Sequence, residues 1–267
     1  MKNITTLFIA IAFSISAIAQ TNMNIRKTDG TLVQYDITEI DSIYYETIID
    51  FSCGDDITDI DGNIYGTISL GDQCWMKHDL KVSHYANGSE IPNITDNSAW
   101  ANLEDNNTDK AYAIYNNNDN NQSDTYGALY TWAAAMNSEN SSITVPSNIQ
   151  GACPDGWHLP SDLEWSEAID FMGGGSVAGK RMKEIGSAHW NGSNNGEDTY
   201  GFTALPIGTR RENTGAFESI GNTIYWWTTS EEDATNAIKR QLYYMGDAIV
   251  AGGSLKSSGQ AIRCLKN

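Results

Sequence analysis

The clearest pattern of apolar and polar positions in the chain lies at residues 161–173 and predicts a capped helix. Apolar side chains recur there at the i, i+3, i+4 and i+7 spacing of one buried helix face, namely at Trp165, Ala168, Ile169 and Met172. Ser161, followed three residues later by Glu164, fits a capping box, in which each side chain bonds a free backbone N–H of the first turn. Gly173 supplies the stop, because glycine readily adopts the left-handed conformation that ends many helices.

Two further helices follow from the same spacing. One is predicted over Tyr126–Met136, with an apolar face formed by Leu129, Trp132, Ala133 and Met136. The other is shorter, is predicted over Val177–Ile185, and ends at Gly186.

Apolar and polar residues alternate in segments before and after these helices, which predicts antiparallel strands. In residues 23–35, two short strands are joined by Asp29-Gly30, a dipeptide typical of tight hairpins. Residues 57–76 predict a three-stranded meander that turns at Asp61-Gly62. Strands nearer the C-terminus are predicted at 224–230, 241–244, 248–250 and 260–265. Together with the helices, this pattern indicates an α+β fold.

Residues 1–19 are expected to be a signal peptide rather than part of the fold. Lys2 precedes the apolar run Ile4–Ser16, and Ala17-Ile18-Ala19 is a small-residue cleavage signal. The run is shorter than the roughly 20 residues that span a bilayer, so no membrane insertion is expected. We therefore expect an exported chain, located in the periplasm, at the cell surface or outside the cell.

The exported chain is expected to consist of a small N-terminal β segment at residues 20–50 and a main domain at residues 51–267. The first segment is too short for a core of its own, and it resembles a β-module often found after the signal in secreted proteins of the Bacteroidetes. The first cysteine after the signal is Cys53, so we do not expect a lipoprotein.

The net negative charge of the chain disfavours two classes of binding partner. Lys and Arg number 16 against 34 Asp and Glu, giving a formal net charge of −18 at pH 7. Nucleic acid is disfavoured as a partner, because phosphates require a basic surface, and an anionic membrane surface is disfavoured for the same reason.

Calcium is compatible with this charge, but no motif supports it. Asp59, Asp61 and Asn63 stand around Gly62 as in part of an EF-hand loop. Such a loop needs a bidentate glutamate six positions after its glycine, where this chain has Ile68. Turn formation accounts better for these side chains, and no cofactor is predicted.

Four cysteines in an exported chain predict two disulfides, with three pairings open. Cys53 and Cys74 flank the meander, whereas Cys153 and Cys264 flank the C-terminal half. The economical prediction is therefore Cys53–Cys74 and Cys153–Cys264. Zinc is disfavoured, because the chain has no C-x-x-C and no histidine at ligand spacing from a cysteine.

Several motifs, in one order, resemble the Fibrobacter succinogenes major paralogous domain. The matching segments are Asp59–Tyr65, Gln73–Met76, Tyr115–Asn117, Tyr126–Trp132, Cys153–Pro160, Gly201–Pro206, Trp226–Glu231 and Ile262–Cys264. The family's "ENLK" stands here as His78-Asp79-Leu80-Lys81, and the resemblance covers about residues 53–267. It implies a C-type-lectin-like fold, with a twisted antiparallel β core, two main helices and long loops. It implies no established activity, and it fixes His158 within a motif where a structural hydrogen bond is expected.

The chain shows no catalytic motif, so we expect an exported binding module for an extracellular polysaccharide or a cell-surface protein. The calcium-binding Glu-Pro-Asn signature of sugar-binding lectins is absent, since Ile91-Pro92-Asn93 lacks its glutamate. Two alternatives stay open. One is a polysaccharide-active enzyme that uses the adjacent acids at residues 231–233; the other is a structural surface protein without a small ligand.

Recognition is expected on long loops, where aromatic, amide and carboxylate side chains can meet a sugar. Trp100 and Trp190 lie in polar segments and are candidates for stacking on a ligand, whereas the core is expected to contain Trp132, Trp157, Trp165 and Trp226. The predicted ligand-binding residues are Trp190, Asn191, Asn194, Glu231, Glu232 and Asp233.

Overall fold

A computed structural model describes residues 22–26, 30–36, 51–118, 122–192 and 194–267. The signal peptide predicted at residues 1–19 lies outside the described residues. The chain divides into two compact units, Met1–Asp50 and Phe51–Asn267. None of the helices described is long and apolar enough to cross a membrane.

The described part of the first unit is a β-hairpin. Strand β1 (Asn22–Arg26) pairs antiparallel with β2 (Leu32–Asp36). Gly30, with φ +88°, occupies the left-handed region in the connection, as the Asp-Gly turn predicted. The predicted hairpin is therefore confirmed.

The second unit is a mixed α+β domain built on antiparallel sheets. Its strands are β3 (Ile57–Thr58), β4 (Ile64–Tyr65), β5 (Thr67–Leu70), β6 (Gln73–Met76), β7 (Tyr112–Ala113), β8 (Leu129–Tyr130), β9 (Trp157–His158), β10 (Thr209–Arg210), β11 (Phe217–Glu218), β12 (Thr223–Glu231), β13 (Asn236–Tyr243), β14 (Ile249–Leu255) and β15 (Leu265–Lys266). Its helices are α1 (Asn97–Ala101), α2 (Gln122–Tyr126), α3 (Trp132–Met136), α4 (Asp162–Phe171) and α5 (Gly175–Met182), with a 3-10 turn at Tyr115–Asn117.

Two sheets organise this domain. One has four strands in the order β5-β6-β15-β9, and the other has three in the order β12-β13-β14. The segment before β15 joins them, because Ala261 bridges to Trp226 on β12, and its neighbour Gln260 bridges to Tyr130 on β8. The predicted strand at 260–265 is thus a central connecting segment whose regular part, β15, begins only at Leu265.

Helix α4 forms as its sequence predicted. Ser161 Oγ accepts from Glu164 N, and the Glu164 carboxylate accepts from Ser161 N, so the capping box is complete. The helix ends at Phe171, and Gly173 follows with φ +97°. Its buried face packs on the indoles of the core, as the apolar spacing required.

The single helix predicted over Tyr126–Met136 is wrong. Helix α2 ends at Tyr126, and the chain then runs through β8 before α3 begins. Gly127 has φ +83°, and Ala128 N donates to Leu80 O at 2.9 Å, so pairing with another segment replaces helical hydrogen bonds. Thr131 then caps α3 by accepting from Ala134 N.

The shorter helix predicted over Val177–Ile185 is shifted. Helix α5 runs from Gly175 to Met182, because Lys183 is extended and bridges to Ala204. Lys183 is therefore positioned by strand-like pairing rather than by the helix.

The core contains the four predicted indoles. Trp132, Trp157, Trp165 and Trp226 are all buried, which confirms the prediction. Trp165 lies between two neighbours, with ring centroids 4.6 Å from Trp75 and 5.2 Å from Trp226. Such tilted aromatic pairs bury large apolar areas and fix the contact between α4 and both sheets.

Both predicted disulfides are present. Cys53 is bonded to Cys74, and Cys153 is bonded to Cys264. Two disulfides indicate an oxidising, extracytoplasmic location.

Candidate functional site

Several motif residues hold the core together rather than line a cleft. Asp79 Oδ1 accepts from Trp226 Nε1 and from Arg263 Nε, each at 2.7 Å. The Arg263 guanidinium also lies 4.0 Å from the ring centroid of Phe202 and donates to Phe202 O. Because a buried charge is tolerated only when it is paired, these residues are assigned to folding.

His158 is likewise a structural residue. Its Nε2 lies 2.8 Å from Glu164 Oε1 and its Nδ1 lies 2.7 Å from Asn267 Oδ1. The other Glu164 oxygen accepts from Ser161 N at 2.8 Å and Ser147 N at 3.2 Å. Both ring nitrogens are thus engaged within the protein, and the structural hydrogen bond expected for His158 is confirmed.

The candidate calcium loop is a turn. Asp59 Oδ1 accepts from the backbone N–H of Asp61 and of Asn63, each at 2.9 Å. Asp59 Oδ2 accepts from Tyr65 Oη at 2.7 Å. Turn chemistry therefore accounts for these side chains, as expected. Across the described residues, no group of three or more His, Cys, Asp or Glu side chains could hold a metal ion.

The two tryptophans proposed to stack on a ligand are buried, so that prediction is wrong. Trp190 is 1% exposed, its Nε1 donates to Ala204 O at 2.9 Å, and its ring lies 5.5 Å from Lys183 Nζ. Trp100 is 0% exposed and its ring lies 4.2 Å from the Arg210 guanidinium. Cationic side chains and the core cover the rings, which leaves no free face for a sugar.

The two predicted binding loops do not meet. Asn191 N donates to Gly221 O at 2.7 Å, just before β12 begins, whereas Glu231 is the last residue of that strand. A strand rises about 3.3 Å per residue, so the eight steps of β12 separate the loops by about 26 Å. The predicted ligand-binding residues therefore do not form one site.

The three adjacent acids serve local structure. Glu231 Oε1 forms an ion pair with Lys256, whose side chain is 1% exposed. The pKa of Glu231 is lowered. Burial alone would raise it, but the hydrogen bonds that Glu231 accepts from Lys256, Ser141 and Asn107 have the larger combined effect. The Asp233 carboxylate accepts from Thr235 N and Asn236 N, each at 2.8 Å. Glu232 lies against the backbone at Gly253, where its Oε2 would clash with an added Cβ.

Of the predicted amides, only Asn191 remains at an exposed position that could contact a ligand. Asn194 Nδ2 donates to Glu184 O and Gly186 O, each at 2.6 Å, and so closes its own loop. Asn191 Nδ2 donates to Asn222 Oδ1 at 3.2 Å, and both amides lie beside the end of β13.

A group of tyrosines at that end of the sheet forms a surface that sequence reasoning missed. We define the tyrosine surface as Tyr225, Tyr243 and Tyr244 with the neighbouring amides Asn191, Asn222 and Gln241. Tyr225 pairs with Gln241 across β12 and β13, so Tyr243, two residues further on, shares its face. The rings of Tyr243 and Tyr244 lie 4.7 Å apart, and Tyr244 N donates to Asn222 O.

The tyrosine surface is partly exposed to solvent and combines aromatic and polar side chains. Tyr243 is 42% exposed, and Val250, which pairs with Gln241 from the neighbouring strand, is 50% exposed. Desolvation and the neighbouring phenols of Tyr244 and Tyr225 raise the pKa of Tyr243, so the phenol stays protonated and can donate. Flat rings flanked by amides offer both an apolar face and hydrogen-bonding groups.

The pattern of the strands held a signal for this surface. Residues 224–230 and 241–244 were predicted as strands, and Tyr225 and Tyr243 both occupy outward positions once the two are paired in register. The register itself depends on β13 beginning at Asn236, well before the predicted start, and no local motif marks that.

A groove of about 590 Å³ lies elsewhere on the second unit and is lined by Phe51, Ile57 and Trp157, among others. Phe51 and Trp157 pack edge to face with ring centroids 5.7 Å apart, and Lys266 Nζ lies 5.8 Å from the Phe51 ring centroid. These side chains stabilise one another, and nothing in the groove indicates a ligand.

Comparison with protein families gives a match to the Fibrobacter succinogenes major domain over residues 68–266. No curated protein and no solved structure matches the chain. The family match spans most of the second unit, including both main helices and the tyrosine surface. The chain therefore belongs to the Fibrobacter succinogenes major domain family.

Proposed function

We propose that this protein is an exported, non-catalytic recognition domain that binds a polysaccharide through the tyrosine surface. The observation that carries the proposal is the row formed by half-buried Tyr225 and Gln241 and exposed Val250, with exposed Tyr243 beside it on the same face. Aromatic faces pack on the C–H faces of sugar rings, while amides and phenols bond to hydroxyls.

The C-type-lectin-like fold implied by the family resemblance is part of this proposal. A C-type-lectin-like architecture has an antiparallel β core, two main helices and long loops tied by disulfides. Antiparallel sheets, helices α4 and α5, and the Cys153–Cys264 bridge support that architecture. In such a scaffold, recognition belongs to the surface beside the central strands, because the core packing is left unchanged when that surface varies.

A polysaccharide-hydrolysing enzyme is the rival proposal, and the acids at 231–233 were its basis. Hydrolysis uses two carboxyl groups about 5–10 Å apart, one of which must be a proton donor. Here Glu231 is held by Lys256, and the pKa of Asp233 is lowered to about 2 by hydrogen bonds within its turn. Both arrangements favour the carboxylate over the acid, which supports binding without catalysis.

Isothermal titration calorimetry against a panel of neutral and acidic polysaccharides tests the proposal. We expect binding by the exported chain and a loss of about tenfold in affinity for Tyr243→Ala, as for an aromatic contact at the centre of an interface. Phe171→Ala is the matched control, because Phe171 is a 48% exposed aromatic on α4 outside the tyrosine surface.

Three results would count against the proposal. No heat with any polysaccharide would favour a structural surface protein. Equal effects of the two variants would remove the tyrosine surface as the site. Release of reducing sugar from a bound polysaccharide, abolished by Glu231→Gln, would favour the enzyme.

A further inference from the structure

A lysine adjoins the tyrosine surface and changes what that surface can bind. Lys239 lies on β13, two residues before Gln241, so its side chain emerges on the same face. Its Nζ lies 4.1 Å from the ring centroid of Tyr225. An ammonium group held against the face of an aromatic ring is a fixed positive charge beside an apolar contact.

Lys239 also differs from the other basic side chains near the sheet. Arg240, the next residue, is paired with Asp162, and Lys256 is paired with Glu231. Within the described part of the chain, no carboxylate lies within ion-pair distance of Lys239 Nζ. No described carboxylate therefore neutralises its charge by direct pairing.

Charged groups of both signs lie near Lys239, and one of them is a second cation, Arg211. Burial and then the nearby Arg211 lower the pKa of Lys239 from 10.5, and Glu212 partly opposes the shift. Arg211 itself is 44% exposed and pairs only loosely with Glu218, at 3.7 Å. Lys239 and Arg211 stand here beside Glu212 and Glu218, so the charges of these four residues balance on a protein of net charge −18.

We propose that the ligand of the tyrosine surface is an anionic polysaccharide. This inference rests on the proposed function: a pyranose ring packs on Tyr243, and its carboxylate or sulfate group pairs with the Lys239 ammonium, which lies against the Tyr225 ring. Screening by salt at physiological strength acts within about 8 Å, so the distant acids of the chain do not prevent this contact.

Titration calorimetry with polygalacturonate, chondroitin sulfate, a neutral galactan and poly-L-glutamate tests this proposal at low and high salt. The two anionic polysaccharides distinguish carboxylate from sulfate, and poly-L-glutamate carries charge without a sugar ring. We expect at least one anionic polysaccharide to bind more tightly than the galactan and poly-L-glutamate, with affinity falling as salt rises.

Substitutions of Lys239 test whether its charge contributes to binding of the anionic polysaccharide. Lys239→Met keeps the aliphatic stem and should weaken binding of the anionic polysaccharide about fivefold, the loss expected for one partly exposed ion pair. Lys239→Arg should retain most of the affinity. Lys77→Met is the control, because Lys77 is a half-buried lysine after β6, away from the tyrosine surface. Circular dichroism melting verifies that each variant folds.

The outcomes separate this inference from the proposed function. Equal binding of galactan and polygalacturonate, with Lys239→Met unchanged but Tyr243→Ala weakened, would overturn the anionic ligand and keep the glycan surface. Poly-L-glutamate binding as tightly as the polysaccharides would show that charge alone suffices and would overturn the sugar contact. No binding of any polymer would overturn both.

Discussion

The buried lysine side chains of the second unit are surrounded by oxygen atoms that accept their hydrogen bonds. Lys183 Nζ donates to Gly246 O and Asn195 Oδ1, each at 2.8 Å, and its side chain is buried. Lys256 is enclosed in the same way and includes a carboxylate, Glu231, among its acceptors. Because an isolated buried charge costs several kcal/mol, such residues stabilise one arrangement of the loops around them.

The Asp79–Arg263 pair tests whether a buried charge in this domain needs its partner for stability. Asp79→Asn removes the carboxylate charge that faces Arg263 inside the core. We expect a loss of about 3–5 kcal/mol in the free energy of unfolding, because the guanidinium stays buried without its counter-charge. Urea denaturation measures it, with the exposed Asp72→Asn as control. Equal stability of the two variants would contradict the assignment of Asp79 to folding.

The lowered pKa of Asp233 predicts how the stability of the turn at residues 233–236 depends on pH. Hydrogen bonds from Thr235 N, then from Asn236, lower the pKa of Asp233 from 3.8 to about 2. A carboxylate with a lowered folded-state pKa stabilises the fold above its unfolded pKa and loses that contribution as pH falls through the folded value. An NMR titration of the Asp233 carboxyl carbon should therefore show a midpoint near 2. A midpoint near 3.8 would mean that the turn does not hold the carboxylate.

Elements formed by local signals were predictable, and those formed by distant partners were not. Helix α4 carries its cap, its apolar face and its glycine stop within one short segment. The break at Gly127 depends on carbonyls from another segment, which no spacing within Tyr126–Met136 reveals. Trp190 is a second such case, because its burial depends on Lys183 and Ala204 rather than on its polar neighbours. The tyrosine surface was missed for the same reason, since strand register is a property of a pair.

Gly127→Ala tests the break between α2 and β8. An added Cβ would lie 2.9 Å from both Asp79 O and Leu80 O, on a backbone with φ +83°. We expect a loss of about 2–4 kcal/mol in the free energy of unfolding, combining backbone strain with the clash. Gly186→Ala is the control, because Gly186 has φ +84° with nothing within 4 Å of its added Cβ. It should lose only the strain, about 1–2 kcal/mol. Equal losses would show that the close approach at Gly127 is unimportant.

At the scale of the whole molecule, the C-terminal segment holds the second unit together. Ile262 O accepts from Leu80 N at 2.8 Å, and Gln260 N and Tyr130 O form a hydrogen bond of 2.9 Å. The same segment supplies Arg263 to the core and Cys264 to a disulfide. Segments that are far apart in sequence are therefore joined through these few residues, and the tyrosine surface on β12 depends on them because Ala261 bridges to Trp226.

The two disulfides should therefore contribute unequally to stability. Cys153 and Cys264 are separated by 111 residues in sequence, whereas Cys53 and Cys74 are separated by 21. Closing the longer loop restricts the unfolded chain more, by about 1.4 kcal/mol in the chain-entropy account. Chemical denaturation of the two double variants, each pair of cysteines replaced by alanine, measures this difference. We expect the pair lacking Cys153–Cys264 to lose more, with an added penalty because those side chains are fully buried. A larger loss for the pair lacking Cys53–Cys74 would show that the C-terminal segment is held mainly by its hydrogen bonds and the Asp79–Arg263 pair.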